Sequence, residues 1–134
     1  MFCREHVAQL RTHEQEFTDR GAALAAIGLG DAEHAQRFRQ ESGIGFPLLV
    51  DERREAYRAV RLRTAPLTHL LRRDNAVARK RAMAAGHRQH GLGQHPLQLG
   101  GAFVFGPGDV DRFVHVSETF SDNSTVPALL AALP

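Results

Sequence analysis

The chain of 134 residues contains one cysteine, Cys3. A lone thiol cannot close an internal disulfide, so an oxidising compartment gains the fold nothing. No apolar run approaches the roughly 18 residues that span a bilayer. Met1 to Arg11 is charged and lacks the apolar h-region of a secretory signal. A cytoplasmic protein with no membrane contact is therefore expected. No internal repeat is visible. Gly28-Leu29-Gly30-Asp31 lacks the third glycine and the Lys-Ser/Thr ending of a phosphate loop. It reads instead as a strand-to-helix turn. Cys3-x-x-His6 has no second Cys/His pair at matching spacing to complete a zinc site. His87, His90 and His95 share a glycine-rich loop, where histidines are usually solvated. No metal and no cofactor are expected.

What is present suits one domain, residues 1–134, with a modest core: 43% of residues are hydrophobic and 24% charged. The net charge of +2 hides an asymmetry. Residues 61–98 carry eight basic side chains against Asp74, near +7, and the other residues carry nine basic against fourteen acidic, near −5. A basic block of this kind reads first as a solvated insert. It could also dock an acidic partner; a nucleic acid is the less expected ligand.

The spacing of Val7, Leu10 and Phe17 predicts a helix from Cys3 to Asp19, stopped by Gly21. The apolar run 22–29 reads as a strand buried on both faces. Asp31 caps a helix from Ala32 to Ser42 that ends at Gly43, with Ala35, Phe38 and Arg39 on one face. Residues 46–50 form a short strand that begins at a proline. Asp51 caps a helix from Glu52 to Val60, with Ala56, Tyr57 and Val60 inward. Residues 66–85 have a helical cast, with Leu67, Leu70, Leu71, Val77 and Met83 as anchors, and 86–96 is a loop. Residues 102–105 and 110–116 make a hairpin, with Val110, Arg112, Val114 and Val116 on one face. Asp122, Asn123 or Ser124 starts a last helix, Val126 to Leu133. Alternating helices and strands argue for an α/β layer.

Cys3 falls in the first turn of the first helix. Backbone N–H groups there have no intrahelical partners, and the helix dipole adds positive character. Such a position favours a thiolate. Arg4 is an adjacent cation, and His6, three residues on, can share a helix face with Cys3. These three are the candidate catalytic residues.

The element order, with FCREHVAQLR at 2–11, FPLLVDERREAYRAV at 46–60 and LQLGGAFVFGPG at 97–108, resembles the peroxiredoxin-like branch of the AhpC/TSA group. The resemblance implies a thioredoxin-like α/β sheet with flanking helices. It implies that Cys3 is the redox-active cysteine, attacking a peroxide or a disulfide. An external thiol, or a second chain, would then reduce it, since no other cysteine is present. Many members carry a second cysteine three residues upstream, and peroxiredoxins place a threonine or serine there. That position precedes Met1 here. The arginine that peroxiredoxins bring from elsewhere in the fold has three candidates, Arg61, Arg63 and Arg112. At the usual cis-proline position this chain has Gly100-Gly101. The resemblance also implies a strand upstream of the cysteine, in mid-sheet, so the fold is expected to be incomplete at its N-terminus. By that analogy 22–29 pairs with 46–50, and 102–105 with 110–116, with open edges between the pairs. Two such open sheets could pair in a homodimer. The alternative to an enzyme is a non-catalytic thioredoxin-fold module that binds through its basic insert.

Overall fold

The computed structural model describes residues 2–68, 77, 80, 84 and 95–134. Most of the basic insert, with Leu70, Leu71, Met83, His87 and His90, lies outside the described residues. The ends of that insert are held together: Ala65 N donates to Leu97 O at 2.8 Å and Leu99 N to Arg63 O at 3.0 Å, around a bridge between Thr64 and Gln98.

The first helix is two helices, α1 (Phe2–Thr12) and α2 (Glu14–Asp19). The break at His13 has a local cause. The Thr12 hydroxyl bonds back to Ala8 O at 3.0 Å, a contact that bends helices. Across the break, His13 Nδ1 meets Glu16 Oε1 at 2.6 Å. Gly21 then ends α2 at φ 74°. Its N–H reaches Thr18 O at 2.9 Å and that of Ala22 reaches Phe17 O at 2.9 Å, a Schellman closure.

Strand β1 (Ala26–Gly28) pairs in parallel with β2 (Leu48–Val50), and α3 (Ala32–Ser42) crosses between them. Asp31 accepts from His34 N at 2.7 Å and caps α3; Gly43, at φ 60°, closes it. The expected strand at 22–29 is thus only three residues long, since Ala22 belongs to the α2 closure and only 26–28 lie against β2. Nor is it buried on both faces, because Ile27 is exposed.

Helix α4 (Glu55–Ala59) starts later than Glu52. The Asp51 carboxylate accepts from Glu55 N at 2.8 Å and Tyr57 N at 3.1 Å, both in the first turn of α4, so it satisfies the helix-start amides as expected, from a position before the residue that flanks the helix. Arg54, in the left-handed region at φ 56°, is the residue at the helix start. The Tyr57 hydroxyl donates to Ile27 O at 3.0 Å. Ala26 N donates to Pro47 O and Gly28 O accepts from Asp51 N, so Ile27 turns its own peptide groups to the edge away from β2. Tyr57 satisfies one acceptor on that edge.

Strand β3 (Gly101–Gly106) pairs antiparallel with β4 (Val110–Val116), with a register shift between Val104 and Phe105. The described strands therefore form two separate two-stranded sheets, with the pairings that the analogy implied. Gly101 is required by contact: a Cβ there would lie 2.6 Å from His115 O and 2.8 Å from Leu62 Cδ2. The inward face of the hairpin is Ala102 and Val104 with Phe113, and His115 stands opposite Ala102. Val110, Arg112 and Val114 share one face of β4, as expected, and that face is exposed. The aromatic Phe113, opposite Val104, sets the inward phase. The last helix, α5 (Val126–Ala131), is capped by Thr125, whose Oγ1 accepts from Ala128 N at 3.3 Å, and not by residues 122–124.

Two apolar clusters hold these elements. Phe17, Val126, Leu129 and Leu130 lie under the hairpin, and Val7, Ile44 and Phe46 under the parallel pair. Leu10 and Leu24 pack against both. The stripe read from α1 and α2 is thus the seam of the molecule.

Candidate active site

Cys3 lies in the first turn of α1, where the backbone amides lack intrahelical partners. Val7, one turn on, faces the core, and His6, partly buried, lines a cleft beside it. The helix position of Cys3 falls between those two directions.

Arg4 is committed elsewhere. Its guanidinium meets Glu41 Oε2 at 2.5 Å and stacks over the Phe38 ring, 5.0 Å from the centroid. It ties the start of α1 to α3, and its charge is shared with a carboxylate. Of the three arginines named above, Arg63 pairs with Glu118 at 3.0 Å, and Arg112 donates from Nε to Ala132 O at 2.7 Å. Arg61 sits in a turn at φ 55°. None of the three lines the cleft described next.

His6 sits in a more unusual environment. Burial pushes its pKa below the ordinary 6.5; nearby His115 lowers it further, and Glu5 opposes both. The imidazole is neutral at pH 7, so it serves as a proton acceptor or donor rather than as a cation for a thiolate. Its Nδ1 is buried without a hydrogen-bond partner among the described residues. His115 is oriented by Asp122, with Nε2 3.2 Å from Oδ1. The other carboxylate oxygen of Asp122 accepts from Glu118 N at 2.8 Å.

A cleft of about 490 Å³ opens between α1 and the segment leading into α5. Glu5, His6, Gln9 and His13 form one wall, and Ser121, Asn123 and Ser124 the other. Ser124 is 7% exposed, and its Oγ also has no partner. His6 Nδ1 and Ser124 Oγ are thus two buried polar atoms without partners among the described residues, on residues that line one cleft. Sequence reading singled out Cys3, Arg4 and His6 and did not single out His115, Asp122 or Ser124. The approach of His115 to His6 depends on the phase of β4, which spacing alone does not give. No group of His, Cys, Asp and Glu suited to a metal ion occurs among the described residues.

A parallel strand–helix–strand unit, an antiparallel hairpin and a helix opening on a cysteine define an α/β protein with a thioredoxin-like fold. Within that class, the chain belongs to the AhpC/TSA antioxidant enzyme family, whose model matches residues 9–119. The matched segment starts beyond Cys3, so the role of the cysteine has to be argued from its surroundings. No curated protein and no solved structure matches the chain. Among the described residues, no helix is long and apolar enough to cross a membrane.

Proposed function

We propose that this family member is a thiol oxidoreductase of the cytoplasm, with Cys3 as its redox centre. The observation that carries the reading is position: the single cysteine occupies the first turn of α1, three residues before the half-buried His6. A thiolate there is favoured by free amides and by the helix dipole. It attacks the terminal oxygen of a peroxide. The S–O bond forms, the O–O bond breaks, and the departing alkoxide takes a proton and leaves as alcohol, or as water from hydrogen peroxide. The sulfenic acid is then reduced by external thiol. One thiol forms a mixed disulfide with loss of water, and a second releases Cys3 and a small disulfide. His6 can hold the proton that the incoming thiol gives up. Arg4 acts through α3, fixing the start of the helix.

Labelling with a sulfenic-acid probe after stoichiometric hydrogen peroxide tests the reading. Modification at Cys3, lost in Cys3→Ser, is expected. An unlabelled Cys3 in folded protein would contradict it.

A further inference from the structure

Histidines from two different elements come together beside the cleft, His6 from α1 and His115 from β4. They are held unequally. His115 has a carboxylate at hand: its Nε2 lies 3.2 Å from Asp122 Oδ1 and 3.3 Å from Asp122 O. The other carboxylate oxygen of Asp122 accepts from Glu118 N at 2.8 Å, so the segment after β4 is folded onto this pair. His6 Nδ1, by contrast, is buried with no acceptor among the described residues. The two sides of the seam are also anchored to different parts of the molecule. Arg4 ties the start of α1 to Glu41 of α3, and His115 ties Asp122 to β4. The charged groups around His6 are few. Glu5, on its own helix, favours its protonation and His115 opposes it. Asp122 is engaged by His115, and His13, two turns along the same wall, is paired with Glu16. The far wall contributes only uncharged groups, among them Ser121, Asn123 and Ser124.

We propose that His6 and His115 form an acid-sensitive latch: protonation of His6 parts α1 from the segment 118–125 and widens the cleft, while Asp122 keeps that segment on β4. A proton on His6 adds a charge and an N–H where burial leaves Nδ1 without an acceptor, and it faces His115. A proton on His115 instead strengthens its pairing with Asp122. The strain therefore falls on the α1 side of the pair. Once the walls separate, water solvates His6 and it titrates as an ordinary histidine. The open arrangement thus binds the proton more tightly than the closed one, and falling pH shifts the population toward it. The latch involves no reaction at Cys3 and stands apart from the redox reading.

Solvent paramagnetic relaxation in NMR, with a neutral gadolinium chelate and a pH series from 7.5 to 5, reads the opening residue by residue. Ser124, 7% exposed in the closed cleft, is expected to gain relaxation by roughly threefold or more. Its midpoint should match that of the His6 ring titration in the same samples, below 6.5. Phe17 and Leu129, 2% and 5% exposed in the hairpin-side core, should stay shielded throughout. His6→Asn should keep Ser124 shielded down to pH 5. His115→Asn should move the His6 midpoint up toward 6.5, since one of the two influences that lower it is gone. Ser124 staying shielded while His6 titrates would overturn the latch. So would exposure of Ser124, Phe17 and Leu129 together, which is global acid unfolding, or opening that persists at the same midpoint in His6→Asn. Should His6→Asn not fold, the wild-type series and the His115→Asn midpoint decide.

Discussion

The parallel pair has three residues in each strand, whereas the hairpin has six and seven. Under the hairpin lies a cluster that includes Phe17 and three residues at the start and middle of α5. Under the parallel pair lie Val7, Ile44 and Phe46, and both Ile27 and Leu49 are about half exposed, at 44% and 53%. The hairpin closes through one short turn, while the parallel pair must be closed across α3. Sequence-local pairing and longer strands make the hairpin side the firmer half. The parallel side depends more on caps and on the α1–α2 seam. The site needs both, since Arg4 is held from α3 and His6 lies near His115 of the hairpin.

Several substitutions would break or sharpen this contrast. The largest effect is expected for Phe17→Ala, a loss of about 3–5 kcal/mol from the hairpin-side core. Val7→Ala should cost about 2 kcal/mol. Amide hydrogen exchange should show protection lost first in β3–β4 for the former and in β1–β2 for the latter. The reverse pattern would dissolve the two-half description. Gly101→Ala comes next, at about 1–3 kcal/mol by urea unfolding, because its methyl overlaps His115 O and the Leu62 side chain. Removing a cap is smaller. Asp31→Ala on the parallel side and Thr125→Ala on the hairpin side should each cost about 1 kcal/mol. Glu41→Gln, which frees a partly exposed Arg4, should cost under about 1 kcal/mol in stability.

A pH series separates the halves differently. His6 has a folded-state pKa below 6.5, so the unfolded chain binds its proton first as the solution is acidified. Stability is full above 6.5 and falls as pH drops from there through the lower folded value. His115 adds to this tendency and Glu5 opposes it; Asp122 faces His115. His6→Asn should flatten that part of the stability profile, measured by thermal unfolding from pH 7.5 to 5. An unchanged slope would place the acid sensitivity elsewhere.

Much of the architecture is local and therefore readable in the chain. The Asp31 and Gly43 ends of α3, the Gly21 closure and the Val7–Leu10–Phe17 stripe each depend on residues a few positions apart. The pairing of 22–29 with 46–50, and of 102–105 with 110–116, followed from the family likeness; the structure narrows the first to 26–28 with 48–50 and extends the second to 101–106. What stayed hidden is where two signals compete. Asp51 was legible as an acceptor for the start of α4, but its distance from the first helical residue was not. The alternation of β4 gives a shared face for its valines, but not which face is inward; Phe113 against Val104 decides that. That phase decides that His115 reaches the neighbourhood of His6, so the polar half of the site could not be assembled from spacing. Cys3 was found because a sole cysteine before a helical stripe is a local signal. Ser124 was not, because a serine among other loop polar residues has none.

Activation of the Cys3 thiol by the start of α1 is most directly tested by its rate of alkylation with iodoacetamide at pH 7, in the native protein and in the urea-unfolded chain. The account predicts native alkylation several-fold faster, because folding supplies the free amides that favour the thiolate. A native rate equal to or below the unfolded one would contradict it.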